Sequence, residues 1–329
     1  MLNAALARLD DLLGRIPTRR GGDWPVALIL LAPGAAVLLV FGLMPLLYGV
    51  VLSLYDLNRG SGPFTGLANY ALLMQDAAFW QAVRVTTWYT LLTIPTGLAI
   101  SFLIASALFR LPIARGFFRT VYFLPFVTSV VAAATVWRTM LNPQRGLVNT
   151  ALGAMGLDRA DWPRWLLEPR GVLAMMTDGA VPYDLGPSVA LVCVSIFSIW
   201  HSAGFMIVVF LAGLSLVPRE LEDAARLDGA NWWRVTRHVT LPLLSPTLFF
   251  LLVVSVIRAF QAFDHFYALT GDGRGPIDTT QTLTVFIFTH FYEFGREGYG
   301  AAAAAILTAA ILVLTLVQWR VARRWVHYE

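Results

Sequence analysis

The chain has 329 residues, 57% of them hydrophobic and only 13% charged, with a mean hydropathy of +0.66. A soluble domain carries roughly 25% charged residues, so this composition excludes an ordinary soluble domain and marks an integral membrane protein. Its 24 basic residues are all arginine, against 20 acids; without a lysine there is no P-loop, whose lysine reaches the β- and γ-phosphates, so the chain is not itself a P-loop ATPase.

Residues 1–24 carry Arg8, Arg15, Arg19 and Arg20 ahead of an apolar run too long for the h-region of a secretory signal, so no cleaved leader is expected. Crossing ~30 Å of hydrocarbon takes about 20 helical residues. Six stretches reach that length: 25–54, 81–109, 116–137, 187–216, 241–262 and 299–318. The expected fold is therefore all-α, with six transmembrane helices. Pro33, Pro45, Pro95 and Pro125 fall inside these stretches, where neighbouring helices can satisfy the freed carbonyls. The single cysteine, Cys193, lies in an apolar stretch; it can form no intrachain disulfide and reads as a small buried hydrophobe.

Arginine bias sets the orientation. Residues 1–20, 109–120, 217–240 and 320–329 hold 14 arginines in 66 positions, whereas 55–80, 138–187 and 263–298 hold 8 in 112. The richer set is expected inside, which makes this a multi-pass membrane protein with both termini cytoplasmic. Its parts are then a cytoplasmic tail (1–24), a first span with its outer loop (25–80), a five-span core (81–318) and a basic cytoplasmic tail (319–329). Of the outer loops, 142–157 reads as a turn and a short amphipathic helix. Residues 158–186 mix Trp162 and Trp165 with four aspartates, either facing a partner or supplying aromatic-belt residues at the headgroups.

Between the fourth and fifth spans, residues 217–240 form a charged hairpin. Pro218 suits a helix start, and Glu220, Glu222 and Asp223 follow in the turn where carboxylates meet the positive dipole end. Leu221, Ala224 and Ala225 share one narrow, small-residue face. Gly229 is expected to end the helix with φ > 0, and Asn231 to cap the next one, which runs through Trp232 and Trp233 to Leu241-Pro242. An interfacial helix resting on lipid usually leads with basic residues; three leading acids favour docking on a soluble partner.

Polar groups inside spans are functional candidates by default. Arg258, Gln261 and His265 form one stripe at the outer end of the fifth span, with Asp264 beside them; Phe260, Phe263 and Phe266 could offer rings to a sugar face. Trp200, His201 and Ser202 form a second cluster in the fourth span, and Ser129 and Trp137 a third. The alternatives stay open: an Arg258–Asp264 ion pair or snorkelling of Arg258, and helix packing for Ser129 and Ser202. His290 reads as a loop residue. The chain lacks H-E-x-x-H, C-x-x-C and glycine-rich phosphate loops, and orientation accounts for its arginines, so no catalytic, metal or nucleic-acid site is expected.

The hairpin resembles the EAA loop of ABC-importer permeases: Asp223-Ala224-Ala225, Gly229 and Leu241-Pro242 fill that pattern, with Asp223 in place of the usual glutamate. Pro218 to Leu221 and Asp228-Gly229-Ala230 resemble the carbohydrate-importer version. Gly66-Leu67-Ala68-Asn69-Tyr70, Phe118-Arg119-Thr120, Leu124-Pro125, Asn142-Pro143, Phe263-Asp264, Leu269 to Pro276 and Tyr299 to Ala302 also match, the 269–276 loop resembling the maltose-type first member of a heterodimeric pair. The resemblance implies a type I permease fold whose Glu220, Glu222, Asp223, Ala224, Ala225, Asp228, Gly229 and Ala230 dock an ATPase. It implies as partners a second permease subunit, two cytoplasmic ABC ATPase subunits holding ATP and Mg, an extracytoplasmic solute-binding protein and membrane lipid. This chain would bind no cofactor and catalyse nothing. The rival class is a self-sufficient secondary carrier or channel, for which buried acids and paired discontinuous spans are the signal; none of the six spans holds an acid at its middle.

Overall fold

The computed structural model describes residues 24–111, 115–177, 182 and 186–325. The expectation for residues 1–23 of the N-terminal tail, and parts of those for the 158–186 segment and the 319–329 tail, fall outside the described residues. The described chain is built of helices, four of them long and apolar enough to cross a membrane, with two bent pairs that bring the number to six where each pair is one span.

Span 1 runs as Trp24–Val37, a π-helical stretch Leu38–Leu43 and Met44–Leu52. Pro45 has no N–H for the carbonyl four residues back, and the widened stretch lies just before it. This span is apolar on every side and exposed in this chain, apart from its packing on span 6. Span 2, Ala77–Arg110, starts where the Asp76 carboxylate accepts a hydrogen bond from the Ala78 amide at 2.8 Å. At 1.5 Å per residue its 34 residues exceed the hydrocarbon core. Its buried stripe packs mainly against span 4, Val189–Leu214. Span 4 is capped by Ser188, whose Oγ accepts from the Leu191 amide.

Span 3 is not the straight helix expected at 116–137. Gly116–Val127 and Val130–Met140 meet at 92°. Pro125 removes one hydrogen bond ahead of the bend, and Ser129 caps the second segment. Gly204 of span 4 lets the first segment come close: a Cβ there would lie 2.2 Å from the Tyr122 carbonyl oxygen.

Span 5 is also bent. Trp232–Leu243 and Ser245–Phe260 meet at 71°. The helix expected to open the span at Leu241-Pro242 runs on to Leu243, and the break falls at Leu244, because Pro246 has no N–H to give the carbonyl of Pro242. Span 6, Glu297–Trp325, buries Tyr299, Ala302 and Ala303 against Phe79 and Phe286.

The long loops are built structures. Arg59 and Gly60 of the 55–67 turn bond to the Gly295 carbonyl (2.8 Å) and the Glu297 carboxylate (2.6 Å), joining it to the start of span 6. Asn69 is buried and donates to the Ser53 and Tyr55 carbonyls. The helix expected within 142–157 forms as Leu147–Ala154. Its buried Asn149 accepts from the Trp165 indole at 2.7 Å and donates to the Pro143 and Pro163 carbonyls. The indole N–H groups of Trp165 and Trp162 are thus satisfied within the loop, that of Trp162 by the Leu157 carbonyl.

The stretch 263–298 carries a helix, Asp264–Thr270, a glycine turn at 271–275 and a second helix, Leu283–Phe288. Thr282 and Thr284 donate to the Ala262 and Phe260 carbonyls, and Thr86 of span 2 accepts from the Leu283 amide. His290 is a correction: it is not a loop residue but lies buried in the π-helical turn Thr289–Glu293, its ring 4.1 Å from that of Phe286.

Candidate functional site

At one end of the bundle, the acidic helix Arg219–Leu227 stands away from the spans. None of its residues is buried, and Leu227 is 90% exposed. Pro218 is its N-cap rather than a first-turn residue. Its far end closes as sequence chemistry predicts: the Ala230 amide bonds to the Ala225 carbonyl and the Gly229 amide to that of Arg226, with Gly229 at φ 82°. This is the paired bonding that a left-handed residue after the helix permits. Asn231 caps the next helix by accepting from the Arg234 amide at 3.0 Å.

The acids divide between two faces. Asp223 projects outward, its side chain 67% exposed, with Arg226 at 3.3 Å. Glu222 is half-buried, faces the bundle and accepts a hydrogen bond from Thr240 at 3.1 Å. Glu220, Ala224, Asp228 and Gly229 are exposed, while Ala225 and Ala230 are partly covered. Leu221, Ala224 and Ala225 form a mostly small-residue face, none of it buried among the described residues.

A cavity of about 300 Å³ opens farther along span 5, walled by spans 2, 4 and 5 with Val130 of span 3. It brings Arg258, Gln261 and Asp264 together with Ser202, which the sequence pattern assigns to a separate fourth-span cluster. Arg258 and Asp264 form no ion pair. The guanidinium instead lies over the rings of Phe205 and Phe126, at 5.3 and 5.6 Å. Those two rings stack on each other at 5.3 Å, one from each side of the span 3–span 4 contact.

His265 bonds through Nε2 to the Tyr89 hydroxyl at 3.0 Å. His201 lines the cavity too, and its Nε2 is buried with no partner. The Ser202 hydroxyl donates to the Ser198 carbonyl at 2.7 Å, which leaves its lone pairs free.

Two candidates lie elsewhere. Trp200 packs on Trp137 and Phe197, outside the cavity wall. Ser129 is the cap of the second half of span 3, with the Ala132 amide at 3.5 Å. Of the three candidate rings on span 5 and its extension, only Phe263 reaches the cavity; Phe266 is fully buried against Tyr89.

Tyr89, Thr93 and Ser198 are wall residues that the sequence reading missed. Their signal was present, since Tyr89 and Thr93 are polar groups one turn apart in an apolar span, as are Ser198 and Ser202. Among the described residues no group of three or more His, Cys, Asp or Glu could hold a metal.

Residues 97–327 match the family of binding-protein-dependent transport system inner membrane components. The chain belongs to that family. It is 32% identical over 298 residues to the lactose transport system permease protein of Rhizobium radiobacter, covering 90% of this chain and 93% of that one. It is 31% identical over 309 residues to the sulfoquinovosyl glycerol transport system permease protein of Agrobacterium fabrum, covering 92% of each. Its fold is that of a chain in a bacterial ABC transporter involved in the import of the acidic polysaccharide alginate. There the TM-score is 0.75 at 23% identity, over 96% of this chain and 99% of that one. The protein is thus a multi-pass ABC permease subunit of the type I fold.

Proposed function

We propose that this permease carries a carbohydrate into the cytoplasm by alternating access, as one subunit of an ATP-driven importer. A second permease completes the pathway. Two ATPase subunits bind ATP and Mg on the cytoplasmic side, and a solute-binding protein delivers substrate from outside. The observation that carries the reading is one continuous connection. The exposed helix Arg219–Leu227 is tied through Glu222 to Thr240, and Thr240 sits just before the bend that begins the upper part of span 5. That part of span 5 ends at the cavity residues Arg258 and Gln261.

Closure of the ATPases around ATP would displace the docked helix. Glu222 and Thr240 pass that displacement to the bend at Leu244, and the upper part of span 5 then moves against spans 2 and 4. Access to the cavity alternates as a result. The small face of Leu221, Ala224 and Ala225, with Asp223 and Glu220 beside it, fits a socket of complementary charge. Hydroxyls of a sugar can be met by Gln261, Asp264 and Ser202, and its ring face by Phe263.

The names of similar proteins support the substrate class: permeases of lactose and sulfoquinovosyl glycerol systems, and an alginate transporter solved with a periplasmic protein holding an alginate pentasaccharide. Arginine bias puts the acidic helix and both termini inside.

The test uses the complete complex in proteoliposomes, with ATP inside and a panel of labelled sugars and their binding protein outside. ATP-dependent accumulation that stops when the ATPase subunits are left out is expected. Accumulation driven by an ion gradient in their absence would make the protein a secondary carrier.

A further inference from the structure

Arg258 is a charge held in place without being neutralised. It sits in the last turn of Ser245–Phe260, on the cavity wall, and makes no ion pair or hydrogen bond among the described residues. The rings of Phe205 and Phe126 fix its guanidinium at 5.3 and 5.6 Å. A ring quadrupole attracts a cation but takes none of its N–H donors and cancels none of its charge. The fork of donors is therefore oriented and vacant. His201, also on the wall, adds a buried Nε2 without a partner.

The one acid on the wall, Asp264, is not paired with Arg258. His265 is engaged by Tyr89. The wall thus carries one cation with open donors, Arg258, and one acid that accepts hydrogen bonds, Asp264. Arg258 is exposed to the cavity, so an anionic group that enters can meet its fork without first displacing a protein partner among the described residues.

We infer that the transported molecule is a hydroxylated body bearing one anionic group, a carboxylate, phosphate or sulfonate, and that Arg258 receives that group in a bidentate contact. This deepens the carbohydrate-importer reading and rests on it. Two oxygens of a carboxylate, phosphate or sulfonate match the guanidinium fork. Asp264 takes substrate hydroxyls and repels a second anion, which sets both the charge and the polarity of entry.

The experiment uses the complete complex in detergent and two matched pairs of probes: cellobiouronate with cellobiose, and glycerol 3-phosphate with glycerol. The thermal midpoint of the permease is read for wild type, Arg258→Gln and Arg258→Lys. The acidic member of at least one pair should raise the wild-type midpoint while its neutral partner does not. The two pairs separate a carboxylate from a phosphate preference. Arg258→Gln should abolish the shift with its subunits retained on size exclusion, and Arg258→Lys should keep part of it.

A shift produced equally by neutral probes in wild type and Arg258→Gln would overturn the proposal, as would no shift with any acidic probe. Loss of the second permease from Arg258→Gln would also overturn it, by making Arg258 an intersubunit ion-pair partner. ATP-driven uptake of a neutral sugar would remove this inference and leave the importer reading intact. No ATP-driven uptake at all would instead remove the reading on which it rests.

Discussion

The Glu222 carboxylate accepts a hydrogen bond from the Thr240 hydroxyl at 3.1 Å, and through it the exposed acidic helix is attached to the root of span 5. Arg226 lies 3.4 Å from the same carboxylate and holds it from the helix side. Thr240→Val removes the donor at similar volume and should cost about 1 kcal/mol, the usual net worth of such a bond. If the bond transmits motion, ATP hydrolysis should continue while uptake per ATP falls, and Thr240→Ser should restore the ratio. The check is paired measurement of phosphate release and sugar uptake in proteoliposomes. An unchanged ratio in Thr240→Val would assign the transmission to other contacts.

Gly229 ends the acidic helix at φ 82°, and a Cβ there would meet nothing within 4 Å. Any effect of substitution therefore comes from backbone strain and not from a clash within this chain. Gly229→Val should cost roughly 1–2 kcal/mol, the penalty of a left-handed L-residue. Asn tolerates this region better than other residues, so Gly229→Asn should retain more ATPase in detergent pull-downs than Gly229→Val. Equal loss from both would point to a side-chain clash in the docked complex.

Gly204 is a tighter constraint. Its Cβ would lie 2.2 Å from the Tyr122 carbonyl and 2.9 Å from the Phe123 Cα, both backbone atoms that cannot swing away. Gly204→Ala should therefore separate spans 3 and 4, with the roughly 1–3 kcal/mol cost of overpacking. A lowered thermal midpoint is expected, together with weaker uptake as Phe126 and Phe205 move from beneath Arg258. A midpoint equal to wild type would contradict this packing.

Burial of the His290 ring holds its pKa below the ordinary histidine value, an effect that nearby Arg296 reinforces. The unfolded chain then binds the proton more readily than the folded one at pH values between the two pKa values. Stability should be full above the ordinary value of about 6.5 and decline as pH falls below it. Wild-type thermal midpoints, scanned from about pH 8 to about pH 5, should drop more than those of His290→Asn. Parallel curves would mean that His290 does not contribute to the acid sensitivity.

The ends of the acidic hairpin were legible in the sequence because capping is local: Gly229 and Asn231 do there what their chemistry allows anywhere. The stripe of Arg258, Gln261 and His265, with Asp264 beside it, was legible from helical spacing; the helix ends at Phe260, yet all four residues line one cavity. The two bends were not. Pro125 and Pro246 are visible as missing donors, but Pro33 and Pro95 lie within helices that continue past them. Whether a proline bends a span depends on what packs against it, as the close approach of Tyr122 to Gly204 shows. Trp165 and Asn149 meet across a folded loop, a contact that no periodicity announces. Tyr89 reaches the cavity from another span, so only the packed bundle shows it beside His265.

The most direct test of the coupling role is cross-linking from position 225. Ala225 lies on the small face of the acidic helix, and the natural Cys193 is buried, so Ala225→Cys adds a single accessible thiol. In the complete, transport-competent complex, a short bifunctional thiol reagent should join this position to the ATPase subunit. An impermeant thiol reagent should label it only in inside-out vesicles. Labelling from the outer face of intact cells, or an intact complex whose ATPase never cross-links to position 225, would contradict the coupling assigned to this helix.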